Sequence, residues 1–148
     1  MADMTAPGRS ATVHATTIAV DGRGVMIAGP SGAGKSGLAL QLIALGARLV
    51  ADDRTFLLRQ GSAIIASAPS SIAGLIEARG VGLLQLTPQD TAPVDLVVDL
   101  GLRETARLPA LHKCDILGLS RICLHDPATT HFPAAILLYM KATRKEPQ

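Results

Sequence analysis

Short apolar runs separated by glycine- and proline-containing turns make up most of the chain, and their periods predict alternating strands and helices. From Thr12 to Val20 the run T-V-H-A-T-T-I-A-V is rich in β-branched residues and predicts one strand. Asp21-Gly22-Arg23-Gly24 predicts a turn and Val25–Ala28 a short buried strand, so the two runs form a hairpin. A glycine-rich loop follows. Leu38, Leu42 and Leu45 then recur at helical spacing over Ser36–Leu45, with Gly46 as the C-terminal cap. Arg48–Ala51 predicts a strand ending at Asp52-Asp53, and Thr55–Leu58 and Ala63–Ala66 predict two more around Gln60-Gly61-Ser62. Pro69–Gly74 reads as a loop or short helix with Ser70 and Ser71 as caps. Val81–Leu86 and Val94–Leu100 predict further strands, while Gly101–Arg121 has no clear period. A terminal helix is predicted from Phe132 or Pro133 to about Lys145, basic at Lys141, Arg144 and Lys145 as its dipole favours. The fold class that follows is α/β, a P-loop kinase-type domain with a mixed β-sheet and the phosphate loop between a strand and the first helix. Residues 1–148 read as one domain, with 1–10 a flexible leader.

Composition narrows the function. The apolar residues are almost all Ala, Leu, Ile and Val, with no Trp, one Tyr and two Phe, which suits buried strands packed against helices. A net charge of +2, with no basic stripe interleaved with aromatics, gives no nucleic-acid signature. No apolar run approaches the roughly 18 residues of a membrane span, and the N-terminus lacks a signal-peptide pattern, so a cytoplasmic protein with no membrane partner is expected. Cys114 and Cys123 form no C-x-x-C pair and read as reduced thiols with no zinc cluster. His112, His125 and His131 show no ligand spacing and read as surface or satisfied histidines.

The chemistry is concentrated in two motifs. Gly29-Pro30-Ser31-Gly32-Ala33-Gly34-Lys35-Ser36 fits G-x-x-x-x-G-K-[ST], follows an apolar strand and opens a helix. Its glycines permit positive φ and turn N–H groups toward phosphate, Lys35 reaches the β- and γ-phosphates, and the Ser36 hydroxyl serves Mg²⁺. Asp52 and Asp53 close a strand seventeen and eighteen residues after Lys35. Adjacent side chains diverge, so one carboxylate can accept the proton of an attacking hydroxyl while the other orients Mg²⁺. Asp95 and Asp99 share one strand face and suggest no chemical role.

Together with Leu49-Val50-Ala51-Asp52-Asp53 and Glu77-Ala78-Arg79-Gly80-Val81-Gly82, the phosphate loop resembles the catalytic domain of HPr kinase/phosphorylase, over about His14–Leu86. The resemblance implies an ATP- and Mg²⁺-dependent kinase, with pyrophosphate as an alternative donor. Its substrate is a serine of the phosphocarrier protein HPr, and phosphate reverses the reaction by phosphorolysis. It further implies that His14 lies near the reacting phosphate and that Lys35 and Ser36 hold phosphates and metal. The Asp52/Asp53 pair supplies the base, and the acid of the reverse step. Asp53 and Glu77 join Ser36 as metal-associated residues, Arg79 contacts phosphate, and Arg107 takes the place of a later catalytic arginine. A homohexamer, and a C-terminal helix that engages HPr, are implied as well.

Gly37 departs from the acidic residue usual after the phosphate-loop serine, and no arginine-rich segment surrounds Thr129–Pro133. Those departures weaken the phosphorylase half more than the kinase half, and the short form without the N-terminal domain of longer members is implied. Two other readings stay open from the sequence: a small-molecule P-loop kinase, and a nucleotide-sensing module that binds without transfer.

Overall fold

The computed structural model describes residues 10–142. Eleven strands and two α-helices follow in the order β1 (Ser10–Val13), β2 (Ala15–Val20), β3 (Arg23–Ala28), α1 (Lys35–Ala44), β4 (Arg48–Ala51), β5 (Thr55–Gln60), β6 (Ala63–Ser67), β7 (Leu75–Ala78), β8 (Gly82–Gln85), β9 (Thr91–Arg103), β10 (His112–Ile116), β11 (Leu119–Asp126) and α2 (Phe132–Ala142). The basic residues Arg144 and Lys145 lie outside the described residues. No helix among those described is long and apolar enough to cross a membrane.

The mixed sheet is organised by β9. Its first residues, Thr91–Pro93, pair antiparallel with β6, which continues to β5 and β1. Its later residues pair parallel with β3 on one side and β11 on the other, and β3 continues through β2 to β4. Because β2 is antiparallel to both β3 and β4, the strands β3, β4, β9 and β11 all end at one edge, the edge where ligands meet such sheets. The complete burial of β2, Thr16 and Thr17 included, and of Val25, Met26 and Ile27 follows from covering on both faces. One face packs Met26, Val50 and Val97 against Leu57, Ile64 and Ala66. The other packs Ile18, Ile27, Leu49 and Val98 under Leu38 and Leu42 of α1 and Ile136 and Met140 of α2.

Local chemistry explains the joints. The β2–β3 turn is Asp21-Gly22 alone, with positive φ at both residues (50° and 81°), as a two-residue right-twisted hairpin requires. Arg23 and Gly24, expected in the turn, belong to β3. Helix α1 ends in a Schellman arrangement: the N–H of Ala47 donates to Leu42 O and that of Gly46 to Ile43 O, with Gly46 at φ 113°.

Several sequence expectations are corrected. The run 12–20 is two strands, because the chain bends at the exposed His14 and β1 leaves for β5 while β2 stays beside β3. Pro93 is inside β9 rather than before it, at the point where the strand passes from one partner set to the other. Strand β7 was not expected at all. Ser70 and Ser71 sit within a one-turn 3-10 helix, Ser70–Ile72, and cap nothing.

Gly24 leaves no room for a side chain between β3 and β9: a Cβ there would stand 2.7 Å from Pro93 O. Gly24→Ala is therefore expected to cost about 1–3 kcal/mol through backbone displacement, read as a lower urea midpoint with an unchanged denaturant slope.

Candidate functional site

The phosphate loop leaves β3 at Gly29 and enters α1 at Lys35. Gly29, Gly32 and Gly34 have φ of 144°, 84° and 96°. A Cβ on Gly29 would lie 3.2 Å from Leu100 Cβ, so glycine lets the loop run against the end of β9. Asp99 secures that end by accepting the Gly101 N–H at 2.8 Å, and Asp95 pairs with Arg23 at 2.7 Å; both aspartates thus have structural partners. Ala33 N donates to Pro30 O. Among the described residues, the N–H groups of Gly32, Gly34, Lys35, Ser36 and Gly37 donate to no protein acceptor, leaving a crown of donors at the positive end of α1. Lys35 is only 8% exposed, and its Nζ donates to Gly29 O at 2.9 Å and Pro30 O at 3.2 Å. Its ammonium is held inside the loop by carbonyls that a phosphate oxygen can replace.

Asp52 is the hub of the adjoining wall. Its Oδ1 accepts from Ser36 Oγ at 2.6 Å and from Thr16 Oγ1 at 3.0 Å, and its Oδ2 accepts from Glu77 N at 3.2 Å. The structure therefore places Asp52, rather than Asp53, against the loop serine. Asp53 is exposed and has φ 66°, and Arg54 N donates to Asp52 O at 2.7 Å across it. This is a tight three-residue turn in a region that non-glycine residues seldom occupy. The Asp53 N–H is fixed by Thr16 Oγ1 at 3.0 Å, while its carboxylate has no protein donor among the described residues. Thr16 and Thr17 are fully buried between these strands; Thr17 meets Thr55 Oγ1 at 2.9 Å.

Lys35, Ser36, Asp52, Asp53, Glu77 and Arg79 line one cleft of about 570 Å³ together with Ser31, Gly32 and Gly34. Glu77 and Arg79 reach it from the β7–β8 hairpin, whose first strand is too short to show a period in the sequence. Two of the expected residues stand apart. His14 is exposed on the bend before β2 and is not in the cleft lining; the pairings Val13↔Thr55 and Thr17↔Ala51 run that bend alongside the turn at Asp52–Arg54. Arg107 lies on a separate pocket of about 210 Å³, with Glu104, His112, His125 and His131.

That second pocket gathers histidines that stand far apart in the sequence, with His112 satisfied by Glu104 and His131 at the surface. The β10–β11 hairpin turns at Leu117-Gly118 (φ 52° and 84°), so His112 pairs with Cys123 and lies diagonal to His125 on the same face. The two imidazole rings stack at 3.9 Å with 7° between their planes, and His112 Nε2 lies 2.8 Å from Glu104 Oε1. Hydrogen bonds from the Ala106 N–H and from His112 hold the Glu104 carboxyl below its ordinary range. Cys114 and Cys123 are close partners: the Cys114 thiol is shifted down by its hydrogen bond with Cys123, and the Cys123 thiol is pushed up by that same contact and by burial.

The cleft's donor set fits a nucleotide's phosphates with Mg²⁺: unpaired N–H groups, one buried ammonium, and hydroxyl and carboxylate oxygens of the kind this hard ion takes. Comparison with known proteins gives the family. The family model described as the HPr serine kinase C-terminal domain matches residues 6–104, which include every residue of that cleft. An HPr kinase/phosphorylase from Levilactobacillus brevis is 36% identical over 99 residues, 62% of this chain and 32% of that protein. One from Bordetella pertussis is 47% identical over 76 residues, 51% of this chain and 25% of that protein. The chain thus spans a quarter to a third of these curated relatives. The solved Hpr(Ser) kinase/phosphatase from Coxiella burnetii superposes with a TM-score of 0.75 at 26% identity, over 88% of this chain and 94% of that one.

Proposed function

Because this chain belongs to the HPr serine kinase C-terminal domain family, we propose that it transfers the γ-phosphoryl group of ATP to a serine of HPr or an HPr-like phosphocarrier. Pyrophosphate is the alternative donor. The observation that carries the proposal is the convergence of Lys35, Ser36, Asp52, Asp53, Glu77 and Arg79 on one cleft.

In this reading the loop N–H groups and Lys35 neutralise the phosphate oxygens as charge shifts toward the leaving oxygen. Ser36 and Glu77 would hold Mg²⁺, with Asp52 fixing the Ser36 hydroxyl. When bound, Mg²⁺ supplies charge neutralisation and alignment of the phosphates. Asp53, whose carboxylate is exposed and uncommitted, accepts the serine proton while the serine oxygen bonds to phosphorus and the anhydride P–O bond breaks. In reverse, protonated Asp53 returns the proton to the departing serine oxygen as inorganic phosphate attacks, giving pyrophosphate. Arg79, which lines the same cleft, contacts the transferred group.

A protein substrate fits better than a small molecule. Val81 and Leu83 stand 79% and 66% exposed on the hairpin that carries Glu77 and Arg79, an apolar rim beside the cleft. Hexamer assembly, a cytoplasmic location and HPr contact through the end of α2 near Lys141 belong to the same proposal.

The test is incubation of the protein with Mg²⁺, γ-labelled ATP and HPr from the same organism. Label on a serine of HPr, released as pyrophosphate by added phosphate, is the expected result. Turnover of small alcohols or nucleosides with none on HPr would replace the protein-kinase reading by a small-molecule one. Nucleotide binding with no transfer would leave a sensing module.

A further inference from the structure

The 210 Å³ pocket lies outside the phosphate cleft and plays no part in the proposed transfer, yet it assembles metal-binding side chains from β10, β11 and the loop after β9. We propose that Glu104, His112 and His125 form a binding site for a divalent transition ion of the Zn²⁺ class.

The donor atoms of the three residues lie within 4.8 Å of one another. Tetrahedral Zn²⁺ at bond lengths of about 2.0–2.1 Å sets neighbouring donors about 3.3 Å apart. The 2.8 Å from His112 Nε2 to Glu104 Oε1 opens to that value by a small side-chain rotation. The carboxylate is already aimed: Glu104 Oε2 accepts from Thr105 N and Ala106 N, both at 3.1 Å, leaving Oε1 turned to the imidazole. Such outer hydrogen bonds are what orient first ligands in metal sites. The backbone repeats the fixation, with Glu104 N donating to Asp126 O at 2.8 Å. Glu104 is shielded, its side chain 13% exposed against 34% for His112, so an ion there is partly withdrawn from competing water. The ring of His125 has no hydrogen-bond partner among the described residues, so it is free to turn out of its stack with His112 and aim an in-plane nitrogen lone pair at the ion.

Two imidazoles and one carboxylate select Zn²⁺, Co²⁺, Ni²⁺ or Cu²⁺ over Mg²⁺ and Ca²⁺, which prefer all-oxygen sets. His131 lines the same pocket and is the candidate fourth ligand, with water as the other. The ion would cross-link residues 104–112 to β11 and fix the segment carrying Arg107. The thiols do not belong to the set: Cys123 is buried in the core with Cys114 packed against it.

The experiment titrates the full chain, freed of metal with chelator, against Zn²⁺ with a chromophoric competitor, and against Co²⁺ as the spectroscopic probe. One ion per chain is expected at micromolar or tighter Kd. Visible Co²⁺ ligand-field bands should appear without a thiolate charge-transfer band, and Tm should rise by roughly 5–10 °C at a hundredfold excess over Kd. His112→Ala and His125→Gln should each weaken binding at least about 100-fold, Glu104→Gln at least about 10-fold, and the Cys114→Ser/Cys123→Ser double variant not at all. His125→Gln removes no hydrogen bond, so its metal-free Tm and circular dichroism serve as the folding control. Binding weaker than about 100 µM, a thiolate band, or unchanged affinity in both histidine variants would overturn the site.

Discussion

Lys35→Ala is expected to lower phosphate transfer about 10³-fold while leaving a folded protein. Loss of one neutral donor to a developing oxyanion costs about 10²–10³ in rate, and a buried full charge stands at the upper end. Lys35 is 8% exposed and is held by Gly29 O and Pro30 O, so its ammonium is present in the loop before any phosphate arrives. Alanine removes that charge and the two bonds that shape the loop, so nucleotide affinity should fall with the rate. Arginine should not rescue, because a planar guanidinium cannot occupy the pocket of a compact ammonium. Single-turnover transfer of label, beside nucleotide binding and circular dichroism, separates the effects. A rate within tenfold of wild type would take the phosphate loop out of the chemistry.

The second large effect is expected at Asp53, and its interest is that stability should not follow. Asp53→Asn should slow serine phosphorylation about 10²–10⁴-fold, the range for a general base, with Tm and nucleotide Kd nearly unchanged. Asparagine is among the few residues at ease at positive φ, so the turn at φ 66° keeps its geometry, and the lost carboxylate charge breaks no protein hydrogen bond. Asp52→Asn makes the contrast. Its carboxylate accepts from Ser36, Thr16 and Glu77, so an amide there must face at least one donor with its own N–H group and should lower both stability and rate. If Asp53→Asn retains full transfer while Asp52→Asn loses it at unchanged stability, the two roles are reversed.

What the sequence disclosed was the local part. The phosphate loop, α1 with its Gly46 stop, β4 and the aspartate pair are each set by neighbours within a few residues, and each is found where its spacing placed it. The strand break at His14 was not legible, because T-V-H-A-T-T-I-A-V keeps its β-branched character across the bend and only distant partners divide it. Nor was the division of labour between Asp52 and Asp53, which depends on Thr16 and Ser36 arriving from other elements. His112 and His125 were hidden for a further reason. Their meeting depends on the hairpin register set at Leu117-Gly118, and leucine at φ 52° is a turn residue that composition does not announce.

The parallel pairing of β3 with β9 bears on how the chain is made. The strand that delivers the phosphate loop has β2 beside it at once, but Val25 waits for Leu96 and Ile27 for Val98, about 70 residues further on. At about 5–20 residues per second the ribosome adds those residues in roughly 4–14 s. Throughout that interval β3, apolar from Val25 to Ala28, presents an edge of unpaired backbone N–H and C=O groups, and it is the edge that will underlie the nucleotide site. A chaperone that meets this chain during synthesis is therefore expected to grip it there, beside the loop that later grips phosphate.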